Sequence, residues 1–174
     1  EATALVAREL ADRLRAANME ESDIASAAGY LHDPGISVVA PALSAAATGV
    51  VTALHDVTEG GVATAALELS EACGCGIVLD AEALSPSPLA KRVFAAVSID
   101  PLGAIGSGGL LICCKPARVD EVKWAVRLGG VKCERVGRLS AEREEKLLRK
   151  NDTTRPLPRF AVDEFARVIN ESAR

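Results

Sequence analysis

Apolar residues recur at helical spacing from the start of the chain. Val6, Leu10 and Leu14 stand at i, i+4 and i+8, one stripe on a helix expected over residues 2–17. A second short helix is expected over 21–28, before Gly29 and the Asp33-Pro34-Gly35 turn interrupt the pattern. The Ala-rich stretch 36–48 reads as a helix from about Pro41, ended by Gly49. Val50 to Leu54 is β-branched and apolar, the signature of a buried strand. Then come His55-Asp56-Val57-Thr58-Glu59-Gly60-Gly61, a helical run over 62–73, and after Gly74 and Gly76 the strand Ile77-Val78-Leu79. Strand, glycine loop, helix and strand in that order form the grammar of a βαβ unit.

The alternation continues downstream. Pro86 and Pro88 introduce a helix over 88–97, where proline is tolerated in the first turn. A strand over 110–114 follows the Gly106-Ser107-Gly108-Gly109 loop, then a helix over 117–128 and a strand over 133–139. Residues 141–150 have strong helix propensity. The stretch 161–171 is amphipathic, with Val162, Phe165 and Ile169 on one side, and is expected to dock on the body. No internal repeat interrupts this order. It predicts one α/β domain over residues 1–174, helices and strands alternating around one sheet.

Length supports that unit: 174 residues can bury a core without metal or disulfide staples. Apolar residues make up 49% and aromatics only 3%, so the core is expected to be built from Ala, Val, Leu and Ile. Net charge is −4 and no Lys/Arg block is interleaved with aromatics, which argues against nucleic-acid binding. No apolar run approaches the roughly 20 residues that span a bilayer, and no signal pattern opens the chain. Cys73, Cys75, Cys113, Cys114 and Cys133 are odd in number and lack framework spacing, which suits a reducing, cytoplasmic compartment. Without paired C-x-x-C knuckles zinc is not expected, and the cysteines read as buried structural thiols. Residue 1 is Glu rather than Met, so the chain is expected to be part of something longer.

The candidate chemistry lies in two loops. Gly60 and Gly61 open a helix, where free N–H groups and the helix dipole favour an anion. Thr58 could bond a phosphate oxygen or cap the helix. His55 fits acid/base work or hydrogen-bond donation; Asp56 fits a magnesium ligand or an acceptor for a substrate hydroxyl. Against this stands a plainer reading, in which Asp56 and Thr58 are ordinary N-caps and the glycines ease a turn. The loop is neither a Walker A motif nor a Rossmann fingerprint. Ser107 and Gly108 could wrap an anion in successive N–H groups, or mark a bend where backbones approach closely. His32, in a turn-rich loop, reads as a surface residue.

The string from His55 to Gly61, the Ala/Leu helix after it and Gly74-Cys75-Gly76-Ile77 resemble the carboxy-terminal domain of the aminoimidazole ribonucleotide (AIR) synthase-related superfamily. Asp100-Pro101-Leu102, Ser107-Gly108-Gly109-Leu110-Leu111-Ile112 and Val136-Gly137-Arg138-Leu139 continue the likeness in order, over about residues 1 to 169. The likeness leans to the hydrogenase expression/formation branch. The resemblance implies a three-layer α/β/α domain with a mixed sheet, partly ferredoxin-like. It implies a preceding N-terminal domain that holds most of the ATP and Mg2+ site and the main homodimer interface. It also implies phosphoryl transfer to an oxygen, with a small-molecule or protein-thiol acceptor, and places His55, Asp56, Thr58, Gly60 and Gly61 at the cleft facing that domain; Glu59, Ser107 and Gly108 are further candidates for binding substrate or phosphate.

Two positions depart from the branch. Residue 59 is Glu where arginine is expected, and Asn170 to Arg174 carry no terminal cysteine. A non-catalytic interaction or regulatory domain that kept the fold therefore stays open as an alternative. The family also implies that 141–158 is extended or hairpin, against the helix that propensity favours.

Overall fold

The computed structural model describes residues 1–172. Its elements are α1 (Ala2–Glu9), α2 (Ala11–Ala16), α3 (Glu21–Ala28), α4 (Val39–Ala46), β1 (Val51–Val57), α5 (Gly61–Cys73), β2 (Gly76–Asp80), α6 (Pro88–Val97), β3 (Gly109–Cys114), α7 (Val119–Leu128), β4 (Gly137–Ser140), β5 (Lys146–Lys150), β6 (Thr153–Pro156) and α8 (Glu164–Ser172). The architecture is mixed α/β, but the strands fall into two sheets rather than the expected one. β1 and β3 form an antiparallel ribbon. The other sheet has the order β4-β2-β5-β6, with β2 antiparallel to β4 and parallel to β5. The expected β1–α5–β2 run is present, yet its two strands belong to different sheets. It is therefore not a βαβ crossover between neighbouring strands.

Helices cover both faces of the ribbon. Ala53, Val57, Leu111 and Cys113 pack with α5 and with Ile77, Leu79 and Leu148 of the larger sheet. Val51, Ile112 and Cys114 pack with Ala45 of α4 and Val122 and Val126 of α7. A register shift between Val51 and Ala53 lets residues two apart, which would ordinarily share a face, serve different cores. A third core is built mainly from helices, with Ile99 and Ala104 added from the loop after α6. Val6, Leu10 and Leu14 form the predicted stripe against Ile24, Val93, Val97 and Val168. Leu10 also marks a break (φ −125°) that divides the expected single helix into α1 and α2.

The segment 141–150 holds no helix. Leu148 is 2% exposed in β5, and β5 and β6 form an antiparallel hairpin as the family resemblance implies. Burial beside β2 outweighs a propensity advantage of a few tenths of a kcal/mol per residue. In α8 the buried apolar residue is Val168, with Phe165 and Ile169 packed beside it, while Val162 lies outside the helix and is exposed. The thiol expectation is also corrected: Cys73 is exposed and the other four cysteines are only partly buried. Burial, aided by neighbouring thiols, raises the Cys113 pKa to about 11. No described helix is long and apolar enough to cross a membrane.

Candidate functional site

The seven-residue motif begins as strand. β1 runs through His55 and Asp56 to Val57, pairing His55 with Leu111 and Asp56 with Leu110. The pleat sends these neighbours to opposite faces. The His55 side chain, 25% exposed, turns inward with Ala53 and Val57; Asp56, 61% exposed, turns outward. The sequence offered both as one functional pair, and the structure separates them.

His55 is held between strand and helix. Nδ1 lies 2.6 Å from Asp56 O, so it donates to that carbonyl. Nε2 then faces the Glu68 carboxylate of α5 at 3.3 Å. The ring is thus held between a strand carbonyl and a helix carboxylate. Glu68 was missed from sequence; its place on the α5 face toward β1 depends on packing no periodicity reveals.

Asp56 has no such commitment. Among the described residues its carboxylate makes no hydrogen bond, and its nearest charged contact is the His55 ring at 3.9 Å. It does not cap α5. Neither does Thr58: the N-cap position is Gly60, which has no side chain to cap with. Thr58 works through its carbonyl, which accepts from Gly61 N at 3.1 Å and from Gly106 N at 3.3 Å. Glu59 is exposed.

Gly60 and Gly61 need left-handed backbone, at φ +75° and +65°. A Cβ on Gly61 would lie 2.6 Å from Leu102 O and 2.8 Å from Ala104 N, so only glycine fits there. Ala63 N donates to Leu102 O at 3.0 Å, tying α5 to the Asp100–Leu102 turn that the sequence matched to the family. The expected anion cradle is already filled. Gly60 N donates to Asp163 Oδ2 at 2.8 Å, and Gly61 N is used by Thr58. Asp163 Oδ1 accepts in turn from Phe165 N at 2.8 Å, so one carboxylate serves the starts of α5 and α8. A phosphate at these amides does not fit the residues present. Asp163 lies within the amphipathic run expected over 161–171, and the sequence carries no sign of its reach to Gly60.

The second glycine loop is a close approach. Gly109 N closes a turn onto Gly106 O at 2.8 Å. Gly108, at φ +100°, leaves no room for a Cβ, which would lie 2.9 Å from Gly35 O. Ser107 accepts from the Glu1 nitrogen on its carbonyl at 3.3 Å. His32 is exposed, as expected. Around Asp56, no three His, Cys, Asp or Glu side chains among the described residues converge as a metal site.

The signature of the family described as AIR synthase related protein, C-terminal domain, matches residues 8–150. The carbamoyl dehydratase HypE of Cupriavidus necator is 34% identical over 107 residues, 62% of this chain and 29% of that protein. HypE of Escherichia coli is 36% identical over 72 residues, 41% of this chain and 21% of its own length. The crystal structure of E. coli HypE, a hydrogenase maturation protein, superposes with a TM-score of 0.64 at 25% identity, covering 75% of this chain and 42% of that one. A HypE structure in complex with ATP shares the fold, with a TM-score of 0.59 at 18% identity over 66% of this chain and 37% of that one. The chain thus spans under a third of the curated relatives it matches. With most of its length matched in order, the chain belongs to the AIR synthase related, C-terminal domain family.

Proposed function

We propose that this chain is the acceptor-side domain of an ATP-dependent enzyme of the HypE type, one that activates an amide or carbonyl oxygen by phosphoryl transfer. The observation that carries the reading is Asp56. It stands in the family's motif at the end of β1, exposed, unbonded and free of any capping duty. A carboxylate that contributes nothing to the fold is available for a substrate or for a cation brought by another domain. One carboxylate is too little to hold Mg2+, and the glycine amides are committed. ATP and Mg2+ therefore belong mainly to a preceding domain, and the acceptor, a small molecule or a protein thiol, meets this one from the Asp56 side. His55, on the opposite face of β1, is held by Asp56 O and Glu68 and steadies the strand end that carries Asp56. Thr58, Gly60, Gly61, Ser107 and Gly108 shape the loops that hold the strand end in place, and Glu59 gives them an acidic rim.

The alternative, an interaction domain without chemistry, draws on Glu59 and on the occupied Gly60 amide. Asp56→Asn in the longer protein separates the two. Turnover is expected to fall by roughly 10²–10⁴-fold, as on losing a positioned catalytic group, with the thermal midpoint unchanged. Full activity with a lowered midpoint would make Asp56 structural and sink the catalytic reading.

A further inference from the structure

Independently of that chemistry, we propose that Cys73 and Cys75, at the far end of α5, form a thiol–disulfide exchange site for anionic low-molecular-weight disulfides. The turn between them holds both thiols in place. Gly74 stands in the left-handed region at φ +64° and ψ +26°. Its N–H donates to Glu71 O at 3.1 Å and that of Cys75 to Ser70 O at 3.0 Å, the two bonds of a Schellman motif. The fully buried Ser70 also donates its hydroxyl to Cys75 O at 2.5 Å, so one residue grips Cys75 by both backbone groups. Backbone at Gly74 is the mirror image of helical backbone, which sets the Cα atoms of Cys73 and Cys75 about 5.4 Å apart. A disulfide spans roughly 4.4–6.8 Å between Cα atoms. Cys75 Sγ already turns back toward its neighbour, donating to Cys73 O at 3.4 Å.

The surroundings assign the order of attack and the class of reagent. Cys73 is exposed and Cys75 half-buried. Cys113 of β3 lies near both, but burial raises its pKa to about 11, so it holds little thiolate. Over the turn lies Arg143: a Cβ on Gly74 would stand 3.8 Å from its Nη2. Lys146 and Arg159 are taken up by Glu71. Arg143 makes no ion pair or hydrogen bond among the described residues, although Glu142 and Glu144 flank it, and it is free to receive a carboxylate of the incoming disulfide. The Cys73 thiolate attacks one sulfur of that reagent, whose S–S bond breaks and releases the first thiolate. Cys75 then attacks Cys73 Sγ, the Cys73–Cys75 bond forms, and the second thiolate leaves. Two electrons pass from the cysteines to the reagent, and their two protons end on the two released thiols. A ring closed over one residue gains little from loop entropy and carries strain, so the bridge is readily reduced, as an exchange site requires.

The sequence makes the product easy to read. No Lys or Arg lies between Arg15 and Lys91, so trypsin yields one peptide, 16–91, whose only cysteines are Cys73 and Cys75. After this chain is treated with excess oxidised glutathione and its remaining thiols are alkylated, mass spectrometry should find that peptide bridged within itself, free of glutathione. Excess dithiothreitol should reverse the bridge. Cys75→Ser should instead retain glutathione on Cys73, and Cys113→Ser should leave the product unchanged. Arg143→Glu should slow the reaction with oxidised glutathione roughly threefold or more, the size of an exposed charge contact, without slowing that with the cationic disulfide cystamine. Circular dichroism checks that the variants are folded, and the wild-type digest stands without them. Unreacted thiols, glutathione that persists on Cys73 in the wild type, or peptide 16–91 joined to the one carrying Cys113 overturns the exchange site. Equal rates in Arg143→Glu and wild type overturn the preference for an anionic reagent.

Discussion

The end of β1 and the start of α5 belong to one short motif and are built on opposite principles. At Gly60 and Gly61 every amide is spoken for, and the backbone of 102–104 presses so close that a methyl group has no room. At Asp56 the carboxylate is exposed and bonded to nothing among the described residues. The contrast separates scaffold from the residue proposed for chemistry within a single string. The glycines fix where the strand ends, and the aspartate stands ready at that end.

The largest expected difference between the two halves is in stability. Gly61→Val forces a branched side chain into a left-handed position against Leu102 O and should cost about 3 kcal/mol or more. For a chain of this size that lowers the thermal midpoint by roughly 6 to 12 °C. Asp56→Asn should stay within about 0.5 kcal/mol of wild type by the same melt. Equal losses in the two variants would erase the contrast. Next in size, Asp163→Ala uncaps two helices and should cost about 1–2 kcal/mol in denaturant unfolding, with Asp163→Asn recovering part of it.

A smaller effect concerns Glu164, which helps anchor α8 beside these loops. Arg167 at 2.7 Å, and more weakly the Asp100 amide, hold its carboxyl below the ordinary glutamate range in spite of burial. A pKa lowered on folding contributes stability above the unfolded value of about 4.3 and loses it as pH falls through the folded value. Unfolding midpoints should therefore drop more steeply on acidification in wild type than in Glu164→Gln. The smallest effect is expected at the His55–Glu68 contact. Glu68→Gln should change stability by under about 1 kcal/mol, because that carboxylate is more than half exposed.

How much of this was legible in sequence follows the range of the interactions. The Val6–Leu10–Leu14 stripe, the α5 run and the buried β2 strand are local patterns, and each appears near its expected place. The 141–150 segment misled because its helix propensity is local, whereas the burial of Leu148 beside β2 is not. The separation into two sheets is likewise a matter of long-range pairing. At the candidate site, the motif coincides with the end of β1 and the start of α5. The strand pleat that parts His55 from Asp56, and the partners Glu68 and Asp163, are set by tertiary packing alone.

The bond from Gly60 N to Asp163 joins residues 103 positions apart, and that spacing bears on the order in which the molecule is made. α5 emerges before most of the strands, but the carboxylate that completes its first turn emerges after every strand of both sheets. Contacts so distant in sequence form late, because a long loop must close before they return any stability. A nascent chain stopped short of Asp163 would carry the whole motif and still lack its finished geometry. Assembly of the strand end at Asp56 is thereby tied to translation through Asp163, and a product stopped before it lacks the bond that completes the motif.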